Sequence, residues 1–161
     1  MPNFADFNMG IYISGLFGEK PAYPISFGDM EAQAKERLDD ILFDYVAGGA
    51  GEERTMLANA TDWAALRLRQ RVLVDVDGVD TSTTLAGATA RMPLALAPLG
   101  LAGLLARRGE CEAARAADAA GVPFTLSTVG ICALDEVAGA TRAPFWVQLY
   151  WLRVRGIVEA L

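Results

Sequence analysis

The sequence predicts an α/β fold built on parallel strands, and the observations behind this prediction lie in its second half. A short apolar run, Leu94–Ala97, lies between Pro93 and Pro98. Proline lacks a backbone N–H and restricts the residue before it, so this run cannot belong to a continuous helix. Short apolar runs between such breakers are typical of strands buried on both faces. Residues 122–127 and 145–150 repeat the pattern, with helical segments between them.

This rhythm of strand, loop and helix is what repeated βα units produce. A complete (β/α)₈ barrel needs about 250 residues, whereas the chain has 161. A small parallel sheet with uncovered faces and edges is a poor domain by itself. We therefore expect residues 1–161 to be the N-terminal portion of a single TIM-barrel domain, in which residues 92–161 supply the first three βα units of an incomplete barrel.

Residues 1–91 are predicted to form an arm, a helical cap and a β-hairpin before the barrel. The aromatic residues within 1–27 follow no clear period, which indicates an irregular arm. Ser26 is a favourable N-cap for the first cap helix, and paired glycines from Gly48 end the second. The predicted cap helices cover residues 27–38, 40–47 and 52–62.

Alternating apolar and polar residues over Leu66–Val76 predict a half-buried strand. Gly78 is expected to turn the chain, and the β-branched residues of Thr81–Leu85 favour a second strand that completes the hairpin. Within the barrel part, helices are predicted over residues 108–120, 134–139 and 153–161.

The composition excludes several classes of function. The formal net charge is −6 and the pI is about 4.6, which argues against nucleic-acid binding. There is no histidine, so the commonest general base and metal ligand is missing. Cys111 and Cys132 have no metal-ligand spacing, and we expect buried free thiols without partners and no metal site. With no secretory signal and no apolar run long enough for a membrane span, we expect a cytoplasmic protein.

Five sequence blocks in a fixed order resemble the FMN-dependent α-hydroxy-acid oxidase and dehydrogenase family. The blocks are D-Y-V-A-G-G-A (44–50), R-V-L-V-D-V (71–76), M-P-L-A-L-A-P-L-G (92–100), T-L-S-T (125–128) and W-V-Q-L-Y (146–150). The arm, with I-Y-I-S-G-L-F-G and Y-P-I-S-F, looks most like the bacterial lactate 2-monooxygenase branch. The resemblance implies a TIM barrel with FMN at the carboxyl-terminal mouth of the strands.

The resemblance also implies which residues contact the cofactor. Pro98, Leu99 and Gly100 would run beside the flavin ring. Ser127 would hydrogen-bond the flavin, and Gln148 would reach its pyrimidine end. Catalytic groups of a barrel come from the carboxyl ends of strands, and Pro98, Ser127 and Tyr150 are predicted to lie at strand ends. From the residues alone, Ser127 could instead satisfy a buried backbone group, whereas a buried amide such as that of Gln148 demands partners.

Two tyrosines are implied in substrate binding. Tyr45 would hydrogen-bond the substrate carboxylate, and Tyr150 would lie near the substrate's hydroxyl or carboxylate; core packing of Tyr45 is the alternative. The implied activity is oxidation of a small, lactate-like L-2-hydroxy acid to a 2-oxo acid or its oxidative decarboxylation product, by a homo-oligomer in the complete enzyme. The family's catalytic histidine is expected beyond Leu161, and Arg107–Arg108 stands where many members carry a histidine before a G-E pair. We therefore expect the isolated chain to be inactive.

Two other functions stay open at this point. The chain could be a non-catalytic remnant that assembles with another chain through its open sheet edge. A small NAD-binding α/β domain is the remaining alternative, but the glycines of residues 48–51 follow no strand and do not form G-x-G-x-x-G.

Overall fold

A computed structural model of the protein describes residues 4–21, 23–75, 77–151, 153, 155 and 156. The chain forms two compact units, Met1–Leu66 and Arg67–Leu161. Within the described ranges, the helices are too short or too polar to cross a membrane.

The described part of the first unit is helical. Its helices are α1 (Phe4–Leu16), α2 (Phe27–Arg37), α3 (Asp40–Ala47) and α4 (Arg54–Ala65). Ser26 caps α2 as predicted, since its Oγ accepts a hydrogen bond of 3.1 Å from the backbone N–H of Asp29. The ammonium group of Lys35 in α2 lies 5.5 Å from the ring centroid of Phe43 in α3, a cation–π distance that links the two helices.

Helix α1 corrects the prediction of an irregular arm over residues 1–27. Residues 4–16 contain no proline, and Gly10 and Gly15 each cost only about 1 kcal/mol relative to alanine within a helix. Apolar residues are spread around the whole helix, so the segment lacks the 3.6-residue period that marks an amphipathic helix. The absence of a period was therefore a poor guide to this segment.

Gly48 ends α3, as the sequence predicted. Its N–H donates to the carbonyl oxygen of Asp44 at 2.9 Å, and a Cβ at this position would lie 2.7 Å from the same oxygen. Helix α4 begins at Arg54, later than predicted, because Glu53 adopts a left-handed conformation with φ 58°. The Oε1 atom of Glu53 accepts a hydrogen bond of 2.9 Å from the N–H of Gly49, which ties the connection between the two helices.

The chain after α4 forms an irregular segment instead of the predicted strand over Leu66–Val76. Among its described residues, 66–75, no strand forms, Leu73 has φ 60°, and the side chains of Leu68 and Leu73 are fully exposed. A strand needs a partner for its backbone groups. The hairpin forms further along, between β1 (Thr83–Leu85) and β2 (Ala88–Ala90).

A two-residue turn, Ala86–Gly87, joins β1 and β2, with φ 45° and 82°. Two consecutive positive φ angles characterise the type I′ turn that matches the twist of a hairpin. The prediction of a hairpin was therefore correct, but its strand pairing was wrong. Gly78, with φ 72°, does turn the chain as expected.

The predicted parallel order of the three apolar strands is confirmed. β3 (Thr125–Ser127) pairs in parallel with β4 (Trp146–Gln148). The first apolar run contributes a single parallel bridge between Leu96 and Phe124. Leu96 N–H donates to the carbonyl of Pro123 at 2.8 Å, and its own carbonyl accepts from the N–H of Thr125 at 3.1 Å. All three strands are shorter than the sequence pattern predicted.

Helices α5 (Ala102–Leu105), α6 (Gly109–Ala120) and α7 (Leu134–Ala138) follow the strands. The core of this unit lies between the strands and α6 and α7. Its buried residues are Cys111, Ala114, Ala117, Val122, Phe124, Leu126, Cys132 and Val137. Helix α6 ends at Gly121, which adopts the left-handed conformation typical of a helix C-cap. The predicted helix 153–161 lies largely outside the described residues.

Candidate functional site

The carboxyl ends of β3 and β4 bring together two of the residues implied in cofactor binding. Ser127 and Gln148 are register partners in the parallel pair. Because successive strand residues point to opposite faces, these two side chains share one face, opposite that of Leu126. Leu126 belongs to the core with Ala114 of α6 and Val137 of α7. Ser127 and Gln148 therefore stand side by side on the face opposite that of Leu126.

The amide of Gln148 has a defined orientation. The backbone N–H of Thr128 donates to Gln148 Oε1 at 3.3 Å. In the part of the chain that the structure describes, Gln148 Nε2 makes no hydrogen bond. The amide thus presents two N–H donors to whatever lies on this face.

Thr128 also fixes the backbone that follows β4. Its hydroxyl donates to the carbonyl oxygen of Gln148 and accepts from the N–H of Tyr150 at 3.2 Å. This side chain joins the ends of β3 and β4 where the sheet ladder stops. Thr128 did not stand out in the sequence, because a threonine next to a serine gives no signal of a contact made about 20 residues later.

The hydroxyl of Ser127 is only partly used inside the protein. Ser127 is 7% exposed, and its Oγ accepts a hydrogen bond of 3.2 Å from the N–H of Val129. A hydroxyl can accept and donate at the same time. The oxygen thus satisfies a backbone group, which is one of the two readings from the sequence, and the hydrogen can still be donated. The cofactor role of Ser127 stays a prediction.

The segment Pro98, Leu99 and Gly100 leads from the first strand into this region. Leu99 and Ser127 line one cavity of about 340 Å³ together with residues of α5 and α6. Directly after the segment, Leu101 adopts φ 57° and its N–H donates to the carbonyl of Val129 at 3.1 Å. The loop after the first strand therefore lies against the loop after β3.

The two tyrosines implied in substrate binding are both about half exposed. Tyr150 follows β4, beside the Thr128 hydroxyl that holds its N–H. Tyr45 lies on α3 in the first unit. Exposed phenol groups are free to donate a hydrogen bond to a ligand, and their substrate roles stay predictions.

Glu110, in the second position of α6, is the buried charged residue that the sequence reasoning missed. It is 2% exposed, and its Oε1 accepts from the N–H of Gly103 at 3.0 Å and of Ile131 at 2.8 Å. Burial acts to raise the pKa of Glu110, but the N–H donors of Ile131 and Gly103 and the thiol of Cys132 outweigh it and lower the pKa below its usual value. The helical spacing of Glu110, Ala114 and Ala117 could have indicated its inward direction.

Cys111 and Cys132 are buried free thiols, as expected, but they do have partners. They belong to one core cluster, and Arg108 Nη2 donates to Cys111 Sγ at 3.5 Å. Burial, together with hydrogen bonding to Glu110 and Cys111, raises the pKa of Cys132 to about 11. Its thiol therefore stays protonated near neutral pH.

Parallel βα units with polar groups gathered at the carboxyl ends of neighbouring strands are typical of α/β enzymes that bind a ligand at that end of the sheet. Comparison with known sequences agrees with this class. The sequence profile of the FMN-dependent dehydrogenase family matches residues 34–161. The chain belongs to this family.

Named relatives and solved structures are consistent with that assignment. The chain is 58% identical over 133 residues to L-lactate dehydrogenase of Caulobacter vibrioides, a match covering 83% of this chain and 35% of the relative. For L-lactate dehydrogenase of Stenotrophomonas maltophilia the identity is 52% over 131 residues, which covers 81% of this chain and 35% of that protein. The chain thus spans about a third of the length of these relatives.

The structural comparisons place the same region in FMN-family enzymes. Mandelate oxidase superposes with a TM-score of 0.74 at 35% identity, covering 85% of this chain and 42% of that one. A chimera of (S)-mandelate dehydrogenase superposes with a TM-score of 0.74 at 32% identity, covering 83% of this chain and 37% of that one.

Proposed function

We propose that this chain supplies the first strands and part of the flavin wall of an enzyme that oxidises a small L-2-hydroxy acid with FMN. The observation that carries the proposal is the pairing of Ser127 with Gln148 on one face at the carboxyl ends of adjacent parallel strands. Membership of the FMN-dependent dehydrogenase family supports it.

The available groups fit the edge of a flavin. The pyrimidine ring of FMN carries carbonyl oxygens that accept hydrogen bonds. Gln148 offers amide N–H donors because Thr128 occupies its oxygen, and Ser127 offers a hydroxyl hydrogen because Val129 uses its oxygen. Pro98, Leu99 and Gly100 would lie beside the ring. A few oriented polar groups within apolar walls are what cofactor pockets use to fix a ring.

We propose a substrate-binding role for the phenol group of Tyr150 and, separately, for that of Tyr45 in the first unit. A phenol donates to a carboxylate without adding a charge of its own, so it orients an acid while leaving the charge balance to other groups. When bound, FMN supplies a two-electron acceptor for the hydrogen on the substrate's α-carbon. Removal of the hydroxyl proton needs a base, and none of these residues is a histidine.

Lactate is the substrate we propose first, because the relatives that match at 52–58% identity are named L-lactate dehydrogenases. Oxidative decarboxylation, which the sequence of the arm suggested, stays a prediction. It differs from simple oxidation in its products, since acetate and carbon dioxide replace pyruvate.

FMN binding is the first test. Titration of FMN with the 161-residue chain, followed by quenching of flavin fluorescence, should show saturable binding. Gln148→Leu and Ser127→Ala should each weaken binding by about 0.5–1.5 kcal/mol, or roughly 2- to 12-fold, for the lost hydrogen bond. Gln70→Leu is the matched control, because Gln70 is exposed and outside the proposed site. Equal affinities for Gln148→Leu and Gln70→Leu would contradict the assignment.

Substrate oxidation is tested in a chimera. The matching 133 residues of the Caulobacter vibrioides L-lactate dehydrogenase are replaced by those of this chain. The chimera should reduce its flavin with L-lactate and not with D-lactate, and Tyr150→Phe should raise KM more than it lowers kcat. The isolated chain should be slower by at least about 10²-fold, the usual loss when a general base is missing. Flavin binding without reduction by any 2-hydroxy acid in the chimera would reject the substrate class.

A further inference from the structure

Glu110 is a buried carboxylate that the proposed chemistry does not use. It lies at the start of α6, is 2% exposed, and its carboxylate reaches the two loops that follow the first strand and β3. Burying a carboxylate is costly unless it is hydrogen-bonded. The hydrogen-bond partners of Glu110 therefore indicate its structural role.

Those partners come from two different loops. Gly103 follows the first strand, Ile131 follows β3, and the N–H groups of both donate to the same oxygen, Oε1 of Glu110. One step closer to the strands, the loops bond directly, from Leu101 N–H to the Val129 carbonyl at 3.1 Å. The two loops are therefore connected at two successive points. Leu101 bonds Val129 directly, and Gly103 and Ile131 are joined through Glu110.

The absence of a side chain at position 103 explains why the two loops can lie so close to Glu110. Oε2 of Glu110 is buried and makes no hydrogen bond that meets ordinary geometric limits within the described residues. A Cβ on Gly103 would lie 3.1 Å from this oxygen and 2.6 Å from the Cβ of Ile131. The loops can approach Glu110 this closely because position 103 has no side chain.

We propose that Glu110 is a positioning residue, whose carboxylate holds loop 98–103 against loop 128–131 and so sets the spacing between Leu99 and Ser127. This inference rests on the proposed function for its consequence, because those two loops form the flavin wall. The contact itself is independent of any ligand. Loss of the carboxylate should therefore loosen the loops first and weaken cofactor binding as a result.

The test is amide hydrogen exchange of the 161-residue chain, resolved by NMR, in Glu110→Ala and Glu110→Gln. Hydrogen bonds to a charged group contribute more than neutral ones, so exchange at Gly103 and Ile131 should rise about tenfold or more in the alanine variant. Glutamine keeps an oxygen acceptor, so exchange at the same amides should increase only about fivefold in Glu110→Gln. Glu112→Ala is the matched control, because Glu112 is exposed on the same helix and its side chain contacts only Arg115 among the described residues.

The amides of Leu96 and Thr125 separate local from global effects, because they bond within the strands. A rise confined to Gly103 and Ile131 supports the proposal, and unchanged exchange at both overturns it. If Glu110→Ala accelerates exchange at all four amides equally, the glutamine variant decides. Faster exchange only at Gly103 and Ile131 in Glu110→Gln supports the positioning role of Glu110, whereas a uniform or absent increase rejects it.

Titration with FMN separates this inference from the proposed function. If the unsubstituted chain binds FMN, Glu110→Ala should weaken binding and alter the visible circular dichroism of the flavin, and Glu110→Gln should restore most of both. If the chain does not bind FMN but exchange at Gly103 and Ile131 rises selectively, Glu110 does hold the two loops together and the flavin assignment fails. Unaltered flavin binding and dichroism in Glu110→Ala, with loosened loops, would reject the positioning role.

Discussion

Thr128 and Gln148 are joined at two points, through the Thr128 N–H to Gln148 Oε1 at 3.3 Å and through the Thr128 hydroxyl to the Gln148 carbonyl. The two contacts act on different parts of the glutamine. One orients its side-chain amide and the other extends the pairing of β3 and β4 by one residue. A single threonine thus fixes both the donor atoms and the backbone at the proposed flavin edge.

Thr128→Val should lower the free energy of unfolding by about 1–3 kcal/mol, because its hydroxyl makes two hydrogen bonds of about 0.5–1.5 kcal/mol each. It should also weaken FMN binding, since Tyr150 and Gln148 lose a shared anchor. Urea unfolding and FMN titration measure the two effects. Thr128→Ser keeps the hydroxyl and should recover most of the loss; equal behaviour of the serine and valine variants would contradict the role of the hydroxyl.

Gly121→Ala should destabilise the second unit by about 1–2 kcal/mol, the cost of a left-handed conformation for a residue with a Cβ. Gly121 has φ 69°, and an added Cβ would lie 2.4 Å from the Cδ of Arg91. Gly139→Ala provides the comparison, because Gly139 also follows a helix but has φ −73° and 3.4 Å of clearance. Its unfolding free energy should change by less than about 0.5 kcal/mol, and a larger loss than that of Gly121→Ala would refute the argument.

Cys111 and Cys132 should react slowly with a thiol reagent in the folded protein. Both are buried, and the pKa of Cys132 is raised to about 11, so little of the reactive thiolate forms at pH 8. Absorbance of the released chromophore should show little reaction until denaturant is added, when both thiols react. Rapid labelling without denaturant would show that the core around α6 opens readily.

The unfolding free energy should fall on acidification, partly because of Glu110. Its pKa is lowered in the folded state, so its contribution is full above the ordinary value of 4.5 and is lost as the pH falls through the lower, folded-state pKa. Urea unfolding between pH 7 and pH 3 measures this slope. Glu110→Gln should flatten it relative to the unsubstituted chain. The same slope in the variant and the unsubstituted chain would show that Glu110 contributes no linkage.

The parts of the fold that the sequence predicted well are those governed by local chemistry. Ser26 capped its helix, Gly48 and Gly121 ended theirs, and apolar runs between prolines and glycines became parallel strands in the expected order. Each of these outcomes depends on backbone preferences within a few residues. The motifs of the family likewise indicated Ser127 and Gln148, which the fold places side by side.

The predictions that failed concern features that depend on contacts between residues far apart in the sequence. Residues 66–75 have the alternation of a strand, but pairing determines whether a strand forms, and the hairpin partner lies within residues 83–90 instead. Glu110 and Thr128 acquire their importance from contacts about 20 residues away. The sequence by itself determined the helix boundaries at Ser26, Gly48 and Gly121, the strand order and the family. Only the tertiary structure decided which polar atoms are satisfied and which remain free, because that depends on the approach of segments that local preferences do not position.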